Sequence, residues 1–266
     1  YSKTVNGNGH AIKGLTAPLF GTTSASIRGL HLKDVVLQSN DADAIAGLAC
    51  KVLATDSNTP VIEHCSVSGT LTVDNKNYSP TVAKSLDALT YGGVVGYVSG
   101  VNINGCVSNV KIDIVQSINS ACTVESILHL GGIVGRTSIY TNTVTNEVVY
   151  SNITNCTNNG AISSTDATNP KCVFRCGGIL GLSDDTNVIP AKIDNCTNNA
   201  PITFKEVNYS GTLTIMIGGI VSYSTKLGVY NCTNTKNGKI KIVGNSSNLY
   251  TAGVAAYSFN IDCKNT

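Results

Sequence analysis

Tryptophan is absent from the 266 residues and methionine occurs once. Aromatic residues make up 6% of the chain and charged residues 13%. Each shortage excludes something. With 18 Lys+Arg against 16 Asp+Glu, the formal net charge is only +2, so neither a basic face for nucleic acid nor an acidic tail is expected. No apolar run reaches the roughly 18 residues of a spanning helix, so no membrane span is expected in this segment. Helix formers are scarce beside Asn, Thr, Ser, Gly, Val and Ile, a balance that favours strands and turns. No signal-peptide pattern opens the chain at Tyr1, which reads as a mature or excised piece.

What is abundant is repetition, which has to be settled before any site is sought. One phrase is Gly-Gly-apolar. It stands at Gly92-Gly93-Val94-Val95-Gly96, Gly131-Gly132-Ile133-Val134-Gly135, Gly177-Gly178-Ile179-Leu180-Gly181 and Gly218-Gly219-Ile220-Val221-Ser222. Degenerate copies are Leu19-Phe20-Gly21, Ala46-Gly47-Leu48-Ala49 and Ala252-Gly253-Val254. A second phrase ends on cysteine: Ile62–Cys65, Ile103–Cys106, Ile153–Cys156, Ile193–Cys196 and Val229–Cys232, with Ile261–Cys263 one residue short. A third alternates apolar and polar residues, as in Val110-x-Ile112-x-Ile114 and Ile202-x-Phe204. Period two with one apolar face means strand. A two-residue insertion before Ile240 displaces the last copy's register relative to Cys232.

The opening residues run Gly7-Asn8-Gly9-His10-Ala11-Ile12-Lys13-Gly14-Leu15, then Leu19-Phe20-Gly21, then Ile27-Arg28-Gly29-Leu30. This order, followed by the later Gly-Gly phrases, resembles GLUG-type repeats over nearly the whole chain. The resemblance implies a β-solenoid from a bacterial or protist surface protein. From it and from the three phrases we expect an all-β fold: a single-stranded right-handed parallel β-helix of about six to seven rungs with variable loops, strands stacking about 4.8 Å apart. One domain is expected over residues 1–266, part of a longer chain or of an assembly.

The residue ladder follows from that geometry. Cys65, Cys106, Cys156, Cys196 and Cys232, with Cys263 displaced, should stack as small buried thiols. Asn155, Asn195 and Asn231 precede three of them and should form an inward amide ladder in a tight turn. The same three asparagines sit in formal glycosylation sequons, but an inward amide cannot carry a glycan. Asn152, Asn208 and Asn245 are the better N-glycosylation candidates, the last two reading as loop positions. Off the ladder, Cys122 could bridge to Cys172 or to Cys176 across neighbouring loops.

Chemistry is sparse. Asp184-Asp185 is the only adjacent acidic pair near a Gly phrase, with no partner carboxylate in the repeat frame, as glycoside hydrolysis would need. His31 and His64 flank the ladder position without a shared frame. No spaced metal-ligand motif is present, so no catalytic residue, metal site or cofactor is expected. Tyr97, Tyr223 and Tyr257 follow the Gly phrase at equivalent places, with Arg136 and Leu182 between them, and form a row that either covers a sheet or binds a ligand. The expected function is a non-enzymatic extracellular or cell-surface structural or adhesion module. Its expected partners are other copies, stacked end to end, or a surface carbohydrate or protein. A carbohydrate-active β-helix is the alternative.

Overall fold

The computed structural model describes residues 3–39, 43–78, 89–117, 124, 126–165, 172–184, 191–258 and 261–264, with the backbone alone described at 172, 206–213, 245–247 and 261. Cys122, Asp185 and the chain ends lie outside these residues. Every regular element among them is a strand, and all the sheets are parallel except one two-stranded hairpin.

The second phrases build one eight-stranded sheet. It runs Val5–Asn6, Ile27–Arg28, Val61–Glu63, Asn102–Asn104, Ile153–Thr154, Ala191–Asp194, Leu227–Tyr230 and Ile261–Lys264, each strand hydrogen-bonded to the next copy. A seven-stranded sheet starts at the apolar end of the first phrase: Phe20–Thr23, Ala49–Leu53, Val95–Ser99, Val134–Ser138, Leu180–Asp184, Val221–Ser224 and Ala255–Ser258. A 14-stranded sheet holds the alternating phrases, such as Ser66–Asp74 and Val107–Gln116. The same sheet takes in strands that lead into the Gly-Gly pairs, such as Leu89–Gly92, Ser126–Gly131 and Cys172–Gly177. These two sets merge because Ile202–Gly218 runs through both, pairing first with Ile162–Ser164 and later with Cys172–Gly177. An all-β chain of repeat-on-repeat parallel sheets is compatible with a parallel β-helix or solenoid.

Alternation places the core. Ile27, Ile62, Ile103, Ile153, Ile193 and Val229 are register partners from copy to copy and are all buried. Full burial of such a side chain is worth about 1.5–3 kcal/mol. The alternating strands supply the opposite wall with Val67, Leu71, Ile112, Ile162, Ile202 and Phe204.

The Gly-Gly pairs are explained by what stands above them. A Cβ on Gly178 would lie 2.1 Å from the Gly219 carbonyl oxygen and 2.5 Å from Asn198 Cγ. The second glycine of the other pairs meets the corresponding neighbour: Ser108 at Gly93, Asn158 at Gly132 and Asn234 at Gly219. The first glycine is closed off by the carbonyl of the residue three further on, at 1.8–2.0 Å for Gly92, Gly131, Gly177 and Gly218. Neither position has room for a side chain, so the pair marks close approach of backbone to backbone.

Ile240 lies two residues further from Cys232 than Ile202 does from Cys196, as the insertion predicts, and it still pairs with Ile202 because the extra residues are taken up in a turn closed by Asn234 Nδ2 donating to the Gly238 carbonyl at 3.0 Å. One expectation changes. Cys263 is not on the cysteine column. It pairs with Val229, in the isoleucine row, and is exposed.

Candidate functional site

The residue before each ladder cysteine sits in a left-handed turn. His64, Asn155, Asn195 and Asn231 have φ between 51° and 54°, and Gly29 and Gly105 occupy equivalent places at 56° and 62°. Asparagine tolerates this conformation better than most side chains. The turn therefore explains Asn155, Asn195 and Asn231, but it points them outward: all three are exposed, which corrects the inward ladder. Asn195 Nδ2 donates to Asn155 Oδ1 and Asn155 Nδ2 to Asn104 Oδ1, both at 2.7 Å, while Asn231 turns to Asp194 Oδ1 at 2.9 Å.

The buried amide column is a different one. Asn158 Nδ2 donates to Asn198 Oδ1 and Asn198 Nδ2 to Asn234 Oδ1, each at 2.9 Å, and each amide also binds backbone of its own turn. Asn158 and Asn198 are fully buried. The second asparagine of each Asn-Cys-Thr-Asn phrase carried this signal. It recurs with the Gly-Gly pairs whose missing side chains it fills.

Cys65, Cys106, Cys156, Cys196 and Cys232 are buried free thiols. Their sulfurs bind the carbonyl two residues back, from 3.1 Å for Cys232 to 3.6 Å for Cys106. The hydrogen bond to the neighbouring thiol, and then burial, push the thiols of Cys65 and Cys232 up. Cys176 is a free core thiol raised by burial alone, and Cys50 is half-buried and also raised first by burial. No group of three or more His, Cys, Asp or Glu able to hold a metal occurs among the described residues.

Of the three glycosylation candidates, Asn152 is half-buried, donates from Nδ2 to Asn102 Oδ1 at 2.9 Å and accepts from the Lys192 amide at 3.0 Å. Asn208 and Asn245 are register partners in adjacent strands, where loops were expected; their side chains lie outside the described residues.

A concave feature with convergent polar groups is built on a side hairpin. After Val134–Ser138 the chain leaves the sheet as Tyr140–Thr141, turns, and returns antiparallel as Val148–Val149. Asn142 Oδ1 accepts from the amides of Val144 and Thr145, both at 2.9 Å, which shapes the turn. The hairpin reaches back over one whole repeat to the turn at Asp56. Asp56 accepts from Tyr140 Oη and from the Thr143 amide, both at 2.6 Å, and from Thr143 Oγ1; Asn142 Nδ2 donates to its carbonyl at 3.0 Å. Gly100, on the repeat between, lets the hairpin cross: a Cβ there would meet Tyr140 Cβ at 2.6 Å.

Between hairpin and turn lies a groove of about 520 Å³ lined by Asp56, Asn58, Asn102, Tyr140, Asn142, Glu147, Tyr150 and Asn152, among others. Its size suits a small ligand. Tyrosine rings, amides and carboxylates are the groups that receive a hydroxyl-rich molecule. The hydrogen bonds from Thr143 and Tyr140 hold the Asp56 carboxyl below its ordinary value and raise the Tyr140 phenol. Asp56 is thus kept ionised, the opposite of what a general acid requires.

The tyrosine row is real as a column. Lys51, Tyr97, Arg136, Leu182, Tyr223 and Tyr257 are successive register partners. Tyr223 and Tyr257 stack with centroids 5.5 Å apart and planes 8° apart. Arg136 lies over the Tyr97 ring at 5.4 Å and pairs with Asp184 at 2.7 Å, which places Asp184 in a structural ion pair. His31 Nδ1 meets Ser66 Oγ at 2.8 Å, apart from the left-handed turn that holds His64.

No family model matches the chain, and no curated protein matches it. The chain is similar to a crystal structure described as a putative immunoglobulin A1 protease from Bacteroides ovatus, with a TM-score of 0.56 and 16% sequence identity, covering 97% of this chain and 68% of that one. A likeness at this identity shows the fold alone.

Proposed function

We propose that the chain is a right-handed β-solenoid of about six to seven rungs, of the GLUG type, acting without catalysis as an extracellular or cell-surface structural and adhesive module. Its ligand site is the groove under the side hairpin, and the ligand class is a neutral carbohydrate. The supporting observation is the groove itself, in which Tyr140, Tyr150 and four asparagines face one space while Asp56 is committed to holding the hairpin. Glycosidic cleavage needs two available carboxyl groups at a set separation, one of them protonated. Titration of neutral oligosaccharides by calorimetry, with Tyr150→Ala as control, tests the reading. Binding that the variant loses, without release of reducing ends, supports it. Turnover abolished by Glu147→Gln would favour the carbohydrate-cleaving alternative.

Self-assembly belongs to the same proposal. A groove of about 580 Å³ that includes Asn234, Lys239, Ile240, Ile242 and Leu249 is the place proposed for contact with a second copy, and parallel strand edges pair readily with such a copy. Sedimentation over a wide concentration range checks it: growing mass supports stacking, and a constant monomer overturns it.

A further inference from the structure

One buried group plays no part in the scaffold just described. His129 lies in Ser126–Gly131 and is 0% exposed, and among the described residues neither of its ring nitrogens has a hydrogen-bond partner. A neutral imidazole carries one donor and one acceptor, and buried polar groups of this kind are ordinarily satisfied. Its register neighbours are Thr90 on one side and Arg175 on the other. Arg136 comes from the adjoining sheet, which packs tightly here: a Cβ on Gly181 would lie 2.7 Å from the Leu130 amide nitrogen. Burial first, then the charges of Arg175 and Arg136, push the imidazole far below its ordinary value, so it is neutral.

Both guanidiniums are stacked. Arg175 lies 4.1 Å over the Tyr223 ring and Arg136 5.4 Å over Tyr97. A stacked guanidinium gives its flat face to the ring and keeps its N–H groups in plane, directed sideways. Arg175, and Arg136 with its partner Asp184, thus lie near a buried imidazole that offers one donor and one acceptor. A bare anion would use the donor alone. A hydroxy acid uses both, the carboxylate accepting from N–H and a hydroxyl donating to the other nitrogen.

We propose that His129, Arg136 and Arg175 form a second binding site, separate from the hairpin groove, for the carboxylate and neighbouring hydroxyl of an acidic sugar, whose ring rests on the tyrosine row. The half-buried arginines meet the ligand first, and their side chains turn aside to admit it to the imidazole.

Calorimetry with a hexuronate trimer, the matching neutral hexose trimer and inorganic sulfate at equal ionic strength tests this, on the whole chain and on His129→Phe, Arg175→Gln and Tyr150→Ala. The expected result is uronate binding that is weakened at least tenfold in the first two variants and unchanged in Tyr150→Ala, which disturbs only the hairpin groove; binding of the neutral trimer should show the reverse pattern, lost in Tyr150→Ala and unchanged in His129→Phe. His129→Phe should not lower the melting temperature, since no hydrogen bond of the free protein is lost. Should that variant fail to fold, the ring nitrogen shifts of His129 in the unmutated protein serve instead and should move when uronate is added. The proposal is overturned by absent uronate binding, by neutral-sugar binding that His129→Phe weakens as much as it weakens uronate, by sulfate binding as tightly as uronate, by unchanged uronate affinity in His129→Phe, or by unmoved ring shifts.

Discussion

Asn158, Asn198 and Asn234 stand in register at one corner of the repeat, each amide donating to the next. Across the repeat, the outward row of the seven-stranded sheet holds Lys51, Tyr97, Arg136, Leu182, Tyr223 and Tyr257 in the same register. On three successive repeats the first corner keeps asparagine, whose amide saturates a turn and fills the space over a glycine; Ser108 fills the same place over Gly93. The second changes at every step but the last, where Tyr223 is followed by Tyr257, and most of its side chains are half-buried rather than locked in the core. Recurrence at a register position therefore marks scaffold, and variation at a register position marks the surface on which a specific ligand can be recognised.

Substitutions can break this contrast. The largest effect is expected for Gly178→Val, because the added atoms meet both the Gly219 carbonyl and Asn198. Overpacking on this scale should cost about 3 kcal/mol or more in urea denaturation, whereas Lys51→Tyr on the variable row should stay within about 0.5 kcal/mol. Next comes Asn198→Leu. It strands Asn158 Nδ2, Asn234 Oδ1 and the Ala200 carbonyl, and a loss of about 2–3 kcal/mol is expected. A stability unchanged by Asn198→Leu would mean that the column is not structural.

Smaller effects sharpen the comparison. Cys196→Ala removes a buried sulfur from the thiol column and should cost about 1–2 kcal/mol. Native-state alkylation followed by mass spectrometry should label Cys263 quickly and Cys50 slowly, and leave the five column thiols unmodified until unfolding. Asp56→Ala should lower the melting temperature slightly and raise amide exchange across the side hairpin and the repeat it crosses. Acid should act in the same way. The folded carboxyl is depressed, so the anchoring it provides is present above the ordinary value of 3.8 and fades as the pH falls through the lower folded value. Hairpin exchange that does not change with pH in that range would remove Asp56 as the anchor.

Much of the scaffold was legible in the residues. The Cys phrases, the alternating strands and the Gly-Gly pairs each recur, and each recurrence became a column. What misled was direction. The asparagine before each cysteine looked inward because it repeats, but its repetition comes from a positive φ, a backbone demand that leaves the side chain outside. The strands before the Gly-Gly pairs were not read, because Leu89–Gly92, Ser126–Gly131 and Cys172–Gly177 share shape and not residues. No recurring phrase marks the hairpin groove. Its partner at Asp56 is 84 residues distant from Tyr140, and no local pattern announces such a contact. His129 could not be singled out from a sequence in which it is merely one of 4 histidines.

The reach of that hairpin bears on how the molecule comes apart. In a stack of repeats, cohesion is a sum of terms between adjacent units, and melting can begin at either end and travel inward. Tyr140, Asn142 and Thr143 hold Asp56 from two repeats away, with Gly100 passing beneath. The middle repeat cannot loosen without the strap above it yielding. A next-nearest-neighbour coupling of this sort joins three units into one cooperative block, and under tension or heat that block should be the segment that gives way last.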